Sequence, residues 1–249
     1  MRDLFTMWRS TRMVVLTAIT AALYAAALVA FKFLSLFPGV KFRPGVALVM
    51  LGSILFGPAG AWGAAIGNAI GDFAGSLEPG AIFGIVGNLL FGLVPYKLYR
   101  ALGVSDPTPR DAWTSAAFVV VALTASGACG LVVGWGMEAV MAFPFKIFAN
   151  SILITNGAIC IALGTFLARA IYPRVAALGL RYQDILDLPP ARRSVWGLTL
   201  AAVMVGAVAS GLIDGNAREF GYLGPHAPPM TMVVGVPLLV LLLAMALVD

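Results

Sequence analysis

The sequence predicts an all-α integral membrane protein, and three observations carry the prediction. Hydrophobic residues make up 61% of the chain and charged residues 11%, whereas soluble domains carry roughly 25% charge. The apolar runs are long enough to cross a hydrocarbon core of about 30 Å as helices, and they lack the alternation of barrel strands. The basic residues stand at the ends of those runs rather than in one patch. Membrane topology therefore accounts for the formal charge of +5, and nucleic acid is not an expected partner.

Taken in order, Arg2, Arg9 and Arg12 precede a first span over residues 13–37, too long for a signal-peptide core. Within it Ala18, Ala22 and Ala26 form a small-residue row, with Ala21 and Ala25 alongside. Such a row serves either packing inside the bundle or docking to a separate membrane protein. Residues 37–44 read as a turn-rich outer loop. A short second span, 45–56, ends at Gly57-Pro58, and a glycine-rich third covers 59–77. The fourth runs to Tyr96 and finishes in Lys97 and Arg100; residues 103–111 are a cytoplasmic loop. The fifth covers 112–134 and leads to Trp135, Glu138 and a turn at Phe143-Pro144; the sixth covers 145–168. A basic connector with Pro189-Pro190 and an amphipathic run at 180–188 precedes two further spans, 195–213 and 231–248. Between them Asp214, Arg218, Glu219 and His226 read as an outer loop.

This eight-span reading leaves eleven basic residues inside and five outside, which puts both termini in the cytoplasm. It divides the chain into a six-helix membrane unit (1–171), a connector (172–194) and two additional helices (195–249). Three of the five exceptions, Lys32, Lys41 and Arg43, cluster around the first outer loop, where topology does not explain them.

Glycine recurs every fourth residue at Gly63, Gly67, Gly71 and Gly75, close to one helix face, so another backbone can approach there. The next helix repeats the interval with Gly80, Gly84, Asn88 and Gly92. Asn68 and Asp72, four apart, share a face of the first. An ionisable group is costly in lipid, so Asp72 is expected to face protein or a cavity. With alternating spans, the candidate solute ligands gather toward the outer half: Lys41, Arg43, Asp72, Asn88, Trp135, Glu138, Asn150 and Asn156, with Glu78 nearby. Opposite charges, amide groups and one stacking ring suit a small polar solute. Several have a plainer use as well: Lys41 and Arg43 as interfacial anchors, Trp135 in an aromatic belt, Asn88 in an interhelical bond, Glu138 in water, and Asp72 in a structural pair with Lys41 or Arg43.

Other chemistry is missing from the sequence. No Gly-x-x-x-x-Gly-Lys-Ser/Thr run is present, so ATP-driven work requires a partner. The single histidine, His226, and the lack of a His-Glu-x-x-His motif give metal or triad hydrolysis nothing to build on. Cys129 and Cys160 lie in apolar runs, as small buried hydrophobes do. No catalytic residue, metal or cofactor is expected.

The span Leu-Thr-Ala-Ile-Thr-Ala-Ala-Leu, the loop Val-Lys-Phe-Arg-Pro-Gly-Val-Ala-Leu and the run Leu-Phe-Gly-Pro-Ala-Gly-Ala-Trp-Gly-Ala-Ala-Ile-Gly-Asn-Ala-Ile-Gly-Asp together resemble the substrate-binding S component of an energy-coupling factor (ECF) transporter, over residues 10–170. The resemblance implies a six-helix unit that captures a vitamin or related micronutrient from outside. It also implies docking, through the small residues of the first helix, onto a transmembrane coupling (T) protein bearing two ABC-type ATPases. Ala18, Ala22 and Ala26 match the docking pattern, residues 38–44 match the gating loop, and polar residues of the fourth to sixth helices usually line the pocket. The two additional C-terminal helices depart from the pattern. Two other readings stay open: a self-contained secondary transporter with Asp72 as its ion site, and a structural or assembly protein whose glycine rows only pack helices.

Overall fold

The computed structural model describes residues 2–37, 40–74, 80–219 and 229–248. A short helix α1 (Arg2–Thr6) and a 3₁₀ turn precede α2 (Thr11–Ala30). The first loop carries a two-stranded antiparallel ribbon, β1 (Ser35–Phe37) and β2 (Val40–Lys41). The bundle continues with α3 (Gly45–Phe56), α4 (Pro58–Phe73), α5 (Ala81–Leu102) and α6 (Ala112–Met141). Then α7 (Phe145–Ile159) passes through a π-helical turn, Cys160–Gly164, into α8 (Thr165–Ala177). A single turn, α9 (Tyr182–Ile185), crosses the connector, and α10 (Val195–Glu219) and α11 (Met230–Leu247) complete the chain.

Among the described residues six helical runs are long and apolar enough to cross a membrane: α2, α5, α6, α10, α11 and the continuous run that begins with α7 and passes through the π-turn into α8. Of the eight spans expected, the second and third are short: at 1.5 Å per residue α3 covers about 18 Å and α4 about 24 Å. They form a tight antiparallel pair about Gly57, whose positive φ of 53° is tolerated by glycine. Pro58 follows at the first helical position, where its missing N–H costs nothing. Other ends differ from the sequence reading. Helix α6 continues past Gly134 for two turns and takes Trp135 and Glu138 with it, while α10 extends through Asp214, Arg218 and Glu219, expected in a loop. The amphipathic 180–188 run forms only one helical turn. His226 and Glu78 lie outside the described residues.

The two glycine rows do not meet each other. The row on α4 receives α2: a Cβ at Gly63 would stand 2.6 Å from Thr20 Cβ, and one at Gly67 2.8 Å from the Ala21 carbonyl. The α2 face pressed there holds Thr17, Thr20, Ala21 and Tyr24. Both threonine hydroxyls donate to carbonyls one turn back, at 2.9 Å, so no donor is stranded in the contact. The row on α5 instead receives α4, with Gly92 against Ala61 and Gly84 against Asn68. Ala18, Ala22 and Ala26 lie beside that face on α2 but are exposed, so the row does not pack inside the bundle.

Helix α10 packs on α5, α6, α7 and α11, and α11 on α10, α5 and α6, so the additional pair covers the flank away from the alanine row. At the end bearing the chain termini, Lys97 is buried, its Nζ 3.3 Å from Asp3 Oδ2 and donating to the Val248 carbonyl at 3.1 Å. Lys97 thus ties the N- and C-terminal segments together at the end of the fourth span. Trp62 Nε1 donates to the Leu4 carbonyl at 2.9 Å and draws α1 onto α4.

Candidate solute-binding site

The polar centre of the bundle is assembled by three helices. Tyr24 on α2, the one aromatic residue of that helix, is buried against Gly45 and Gly67. Its hydroxyl donates to Asn88 Oδ1 on α5 at 2.8 Å. Asn88 Nδ2 donates to Asn68 Oδ1 on α4 at 3.0 Å and to the Gly84 carbonyl at 2.8 Å. Asn68 Nδ2 in turn donates to Asp72 Oδ2 at 2.7 Å. The absence of a side chain at Gly84 makes room for this last pair, since a Cβ there would stand 3.0 Å from Asn68 Nδ2. The chain of bonds runs from buried Tyr24 to the half-exposed Asp72, at the end of the bundle where α2 and α4 finish and α3 and α5 begin.

Arg43 is half-buried just before α3, within electrostatic reach of Tyr24 and of Cys129 on α6, and the Asp72 carboxylate also lies within reach of Tyr24. Among the described residues no carboxylate forms an ion pair with Arg43. A planar guanidinium offers several N–H donors to a carboxylate, phosphate or carbonyl acceptor. The Lys41 backbone belongs to β2, and its side chain lies outside the described residues.

The structure thus joins Asp72 and Asn88 in one network, with Arg43 within electrostatic reach of its Tyr24 end, and adds two residues absent from the candidate set. Asn68 is the bridge between Asp72 and Asn88, and Tyr24 joins them to α2. The sequence signal for Tyr24 was its phenol, which needs a partner when buried in an apolar span.

The other candidates are placed elsewhere. The Trp135 ring meets Phe83 edge-on, centroids 5.6 Å apart, on the side of α5 that faces α6 rather than α4. Glu138 Oε1 is 3.4 Å from Arg218 on α10, while its Oε2 is buried with no hydrogen-bond partner among the described residues. Asn150 and Asn216 exchange amide bonds at 2.8 and 3.1 Å, and Glu219 accepts from the Lys146 backbone N–H at 2.7 Å. This second cluster fastens α10 to α6 and α7. Asn156 is buried on α7, one turn before Cys160, whose thiol donates to the Val46 carbonyl at 3.7 Å. Since α3 and α7 run the same way, Asn156 stands at the level of Arg43.

No curated protein and no solved structure matches the chain. The profile of the QueT transporter, by contrast, matches residues 14–173, from α2 through the first two-thirds of α8, and leaves α10 and α11 outside it. That span is well over half of the sequence and contains every residue of the Tyr24–Asn88–Asn68–Asp72 network, so the chain belongs to the QueT transporter family, whose members are ECF-type S components.

Proposed function

We propose that this membrane transporter component captures a queuosine precursor, the solute class of its family, at the outer end of the bundle and delivers it for ATP-driven uptake by partner subunits. The observation that carries the reading is Arg43, without an ion-pair partner among the described residues and within electrostatic reach of the Tyr24 end of the Tyr24–Asn88–Asn68–Asp72 network. Guanidinium, amide and carboxylate groups present donors and acceptors at fixed spacing, which suits the edge of a flat nucleobase-type ring. Lys41 and the 38–44 loop would close over the solute, with Asn156 at the same level. Glu138 and Trp135 would contribute from α6, Glu138 through its unsatisfied oxygen. Asn150, paired with Asn216 on α10, would contribute from α7.

The exposed Ala18, Ala22 and Ala26 row is the proposed contact for a transmembrane coupling protein bearing two ABC-type ATPases. Alanines let a foreign helix approach closely, and the flank occupied by α10 and α11 leaves the row open. In this reading both termini lie in the cytoplasm of a cell whose cytoplasmic membrane holds the chain, residues 1–171 form the capture unit, and 172–194 link it to the additional pair. The family is one of transporter components rather than enzymes.

The test is binding of a queuosine precursor to the purified chain by calorimetry, with mass spectrometry of small molecules released on denaturation. Arg43→Gln and Asp72→Asn should each weaken binding about tenfold or more, the worth of a hydrogen bond to a charged group. Unchanged affinity in Lys41→Ala, Arg43→Gln, Asp72→Asn, Asn88→Ala and Glu138→Gln would remove the site. Uptake that persists in cells lacking the ATPases and collapses with an ionophore would replace the ATP-driven reading by a secondary transporter with Asp72 as its ion site.

A further inference from the structure

At the end of the bundle remote from Arg43, a recess of about 150 Å³ opens between the C-terminal ends of α5 and α11 and the start of α10. Its wall includes Arg100, Pro190, Arg192, Ser194, Trp196 and Leu247, and no acidic residue is among the described residues lining it. Arg100 makes a long contact, its Nη1 3.5 Å from the Pro189 carbonyl, lies beside the Tyr182 hydroxyl, and has no ion-pair partner among the described residues; Arg192 is exposed and likewise has none there. The neighbouring cations are already engaged: Lys97 by Asp3 and the Val248 carbonyl, and Arg193 by the face of Trp113 at 4.5 Å.

The rim of the recess has the opposite character. Val195, beside it, is 84% exposed, and Trp196 and Leu247 in its wall are 61% and 58% exposed. Two guanidiniums therefore stand directly beside apolar surface that begins the membrane-crossing part of α10 and ends that of α11. A free inorganic anion would use the cations and leave the apolar rim bare. A phosphodiester with acyl chains uses both: its headgroup oxygens match the guanidinium forks, and its tails lie along the rim. Basic pockets between membrane helices on the cytoplasmic side take anionic headgroups in this way.

We propose that the Arg100–Arg192 recess is a binding site for the phosphate headgroup of an anionic phospholipid. It lies outside the residues matched by the family profile at three of its four segments, and it does not depend on the solute or the energising partner.

The full chain, stripped of lipid by detergent washing, would be titrated with phosphatidylglycerol or phosphatidylcholine and the adducts counted by native mass spectrometry. Phosphatidylglycerol should be retained in preference to phosphatidylcholine. The preference should fall about fivefold for each arginine lost in Arg100→Gln and Arg192→Gln, persist in Arg100→Lys, and survive neutralisation of cations elsewhere in Arg110→Gln/Arg174→Gln. Each variant is first checked for a single monodisperse species. Equal retention of the two lipids by the unmodified chain, or a preference that the double arginine variant keeps, overturns the site. Displacement of phosphatidylglycerol by millimolar inorganic phosphate would overturn the lipid assignment in favour of a free-anion site.

Discussion

Replacing Asn88 with leucine tests whether the three-helix network is a working element of the fold. The change keeps the volume but removes two interhelical bonds, leaving the Tyr24 hydroxyl and Asn68 Oδ1 without their partner. Interhelical hydrogen bonds in membranes average about 0.6 kcal/mol and reach about 1.7; the two together give roughly 1–3 kcal/mol. For a chain of this size that lowers the unfolding midpoint by about 2–10 °C. Tyr24→Phe removes one of the same bonds and keeps the ring that fills the space beside Gly45 and Gly67, so it should cost about 0.6–1.7 kcal/mol. Because the two substitutions delete a shared bond, the double variant should be less damaged than the sum, by about the worth of that bond. Thermal unfolding of the detergent-solubilised protein, followed by tryptophan fluorescence, reads all four species. Strict additivity would show that the phenol and the amide do not interact, and the path from Asp72 to α2 would be broken at its last link.

The remaining predictions address packing, charge and docking. Gly63→Val places atoms where Thr20 Cβ and the Thr17 carbonyl already stand, 2.6 and 3.1 Å from a Cβ, so α2 must separate from α4 and folded protein should be lost; Gly206→Ala, with nothing within 4 Å, should be neutral or stabilise by up to about 1 kcal/mol, both read by size-exclusion chromatography after heating. The Asp184 carboxyl is held below its ordinary 3.8 by the bonds from Arg181, with partial burial acting against them. A depressed folded-state value stabilises above the unfolded one and is lost as pH falls, so amide protection over 180–188 should be flat from neutral pH down to about 5 and weaken only below about 4; Asp184→Asn should abolish that acid step. Ala22→Leu, on the exposed face of α2, should leave the unfolding midpoint unchanged and prevent copurification of the coupling protein; a variant that copurifies normally moves the docking surface elsewhere.

Much of the fold could be read from punctuation. Gly57-Pro58 and the Pro44 turn define α3 to the residue, because each breaks the backbone pattern that a helix needs. Glycine misled where it serves packing. Gly134 and Gly136 resemble a helix end, yet α6 continues to Met141, and Gly136 is there because the Phe83 ring lies where a Cβ would be, 2.0 Å from Phe83 Cγ. Polarity misled at the far end of α10. Arg218 and Glu219 look like loop residues, but they are satisfied by Glu138 and Lys146 on other helices, a long-range pairing that local composition does not encode. The same limit applies to the site: the four-residue spacing shared by Asn68 and Asp72 marks their common face, whereas the engagement of Glu138 and Asn150 by α10 depends on where the last two helices pack.

The small-residue rows carry the sharper lesson. Spacing of four announces that something comes close, and on α4 the visitor is α2 from the same chain. Helix α2 itself has two such strips side by side. Ala21 and Ala25 are buried with Thr17, Thr20 and Tyr24, while Ala18, Ala22 and Ala26, one residue away on the helical wheel, face outward. Lipid tails gain nothing from alanine over leucine, since both are apolar and fluid chains conform to either. A lipid-facing strip has no physical reason to be small, and its neighbours Val15, Ile19 and Leu23, exposed on the same side, show what such a surface otherwise looks like. The chemistry of the strip therefore fits a rigid helix better than a bilayer, and Tyr24 on the buried face connects α2 to the network ending at Asp72. A solute at the proposed site that engages Asp72 or Asn88 would act on the same helix that carries the proposed docking strip, and differential docking of loaded and empty states would require no longer path.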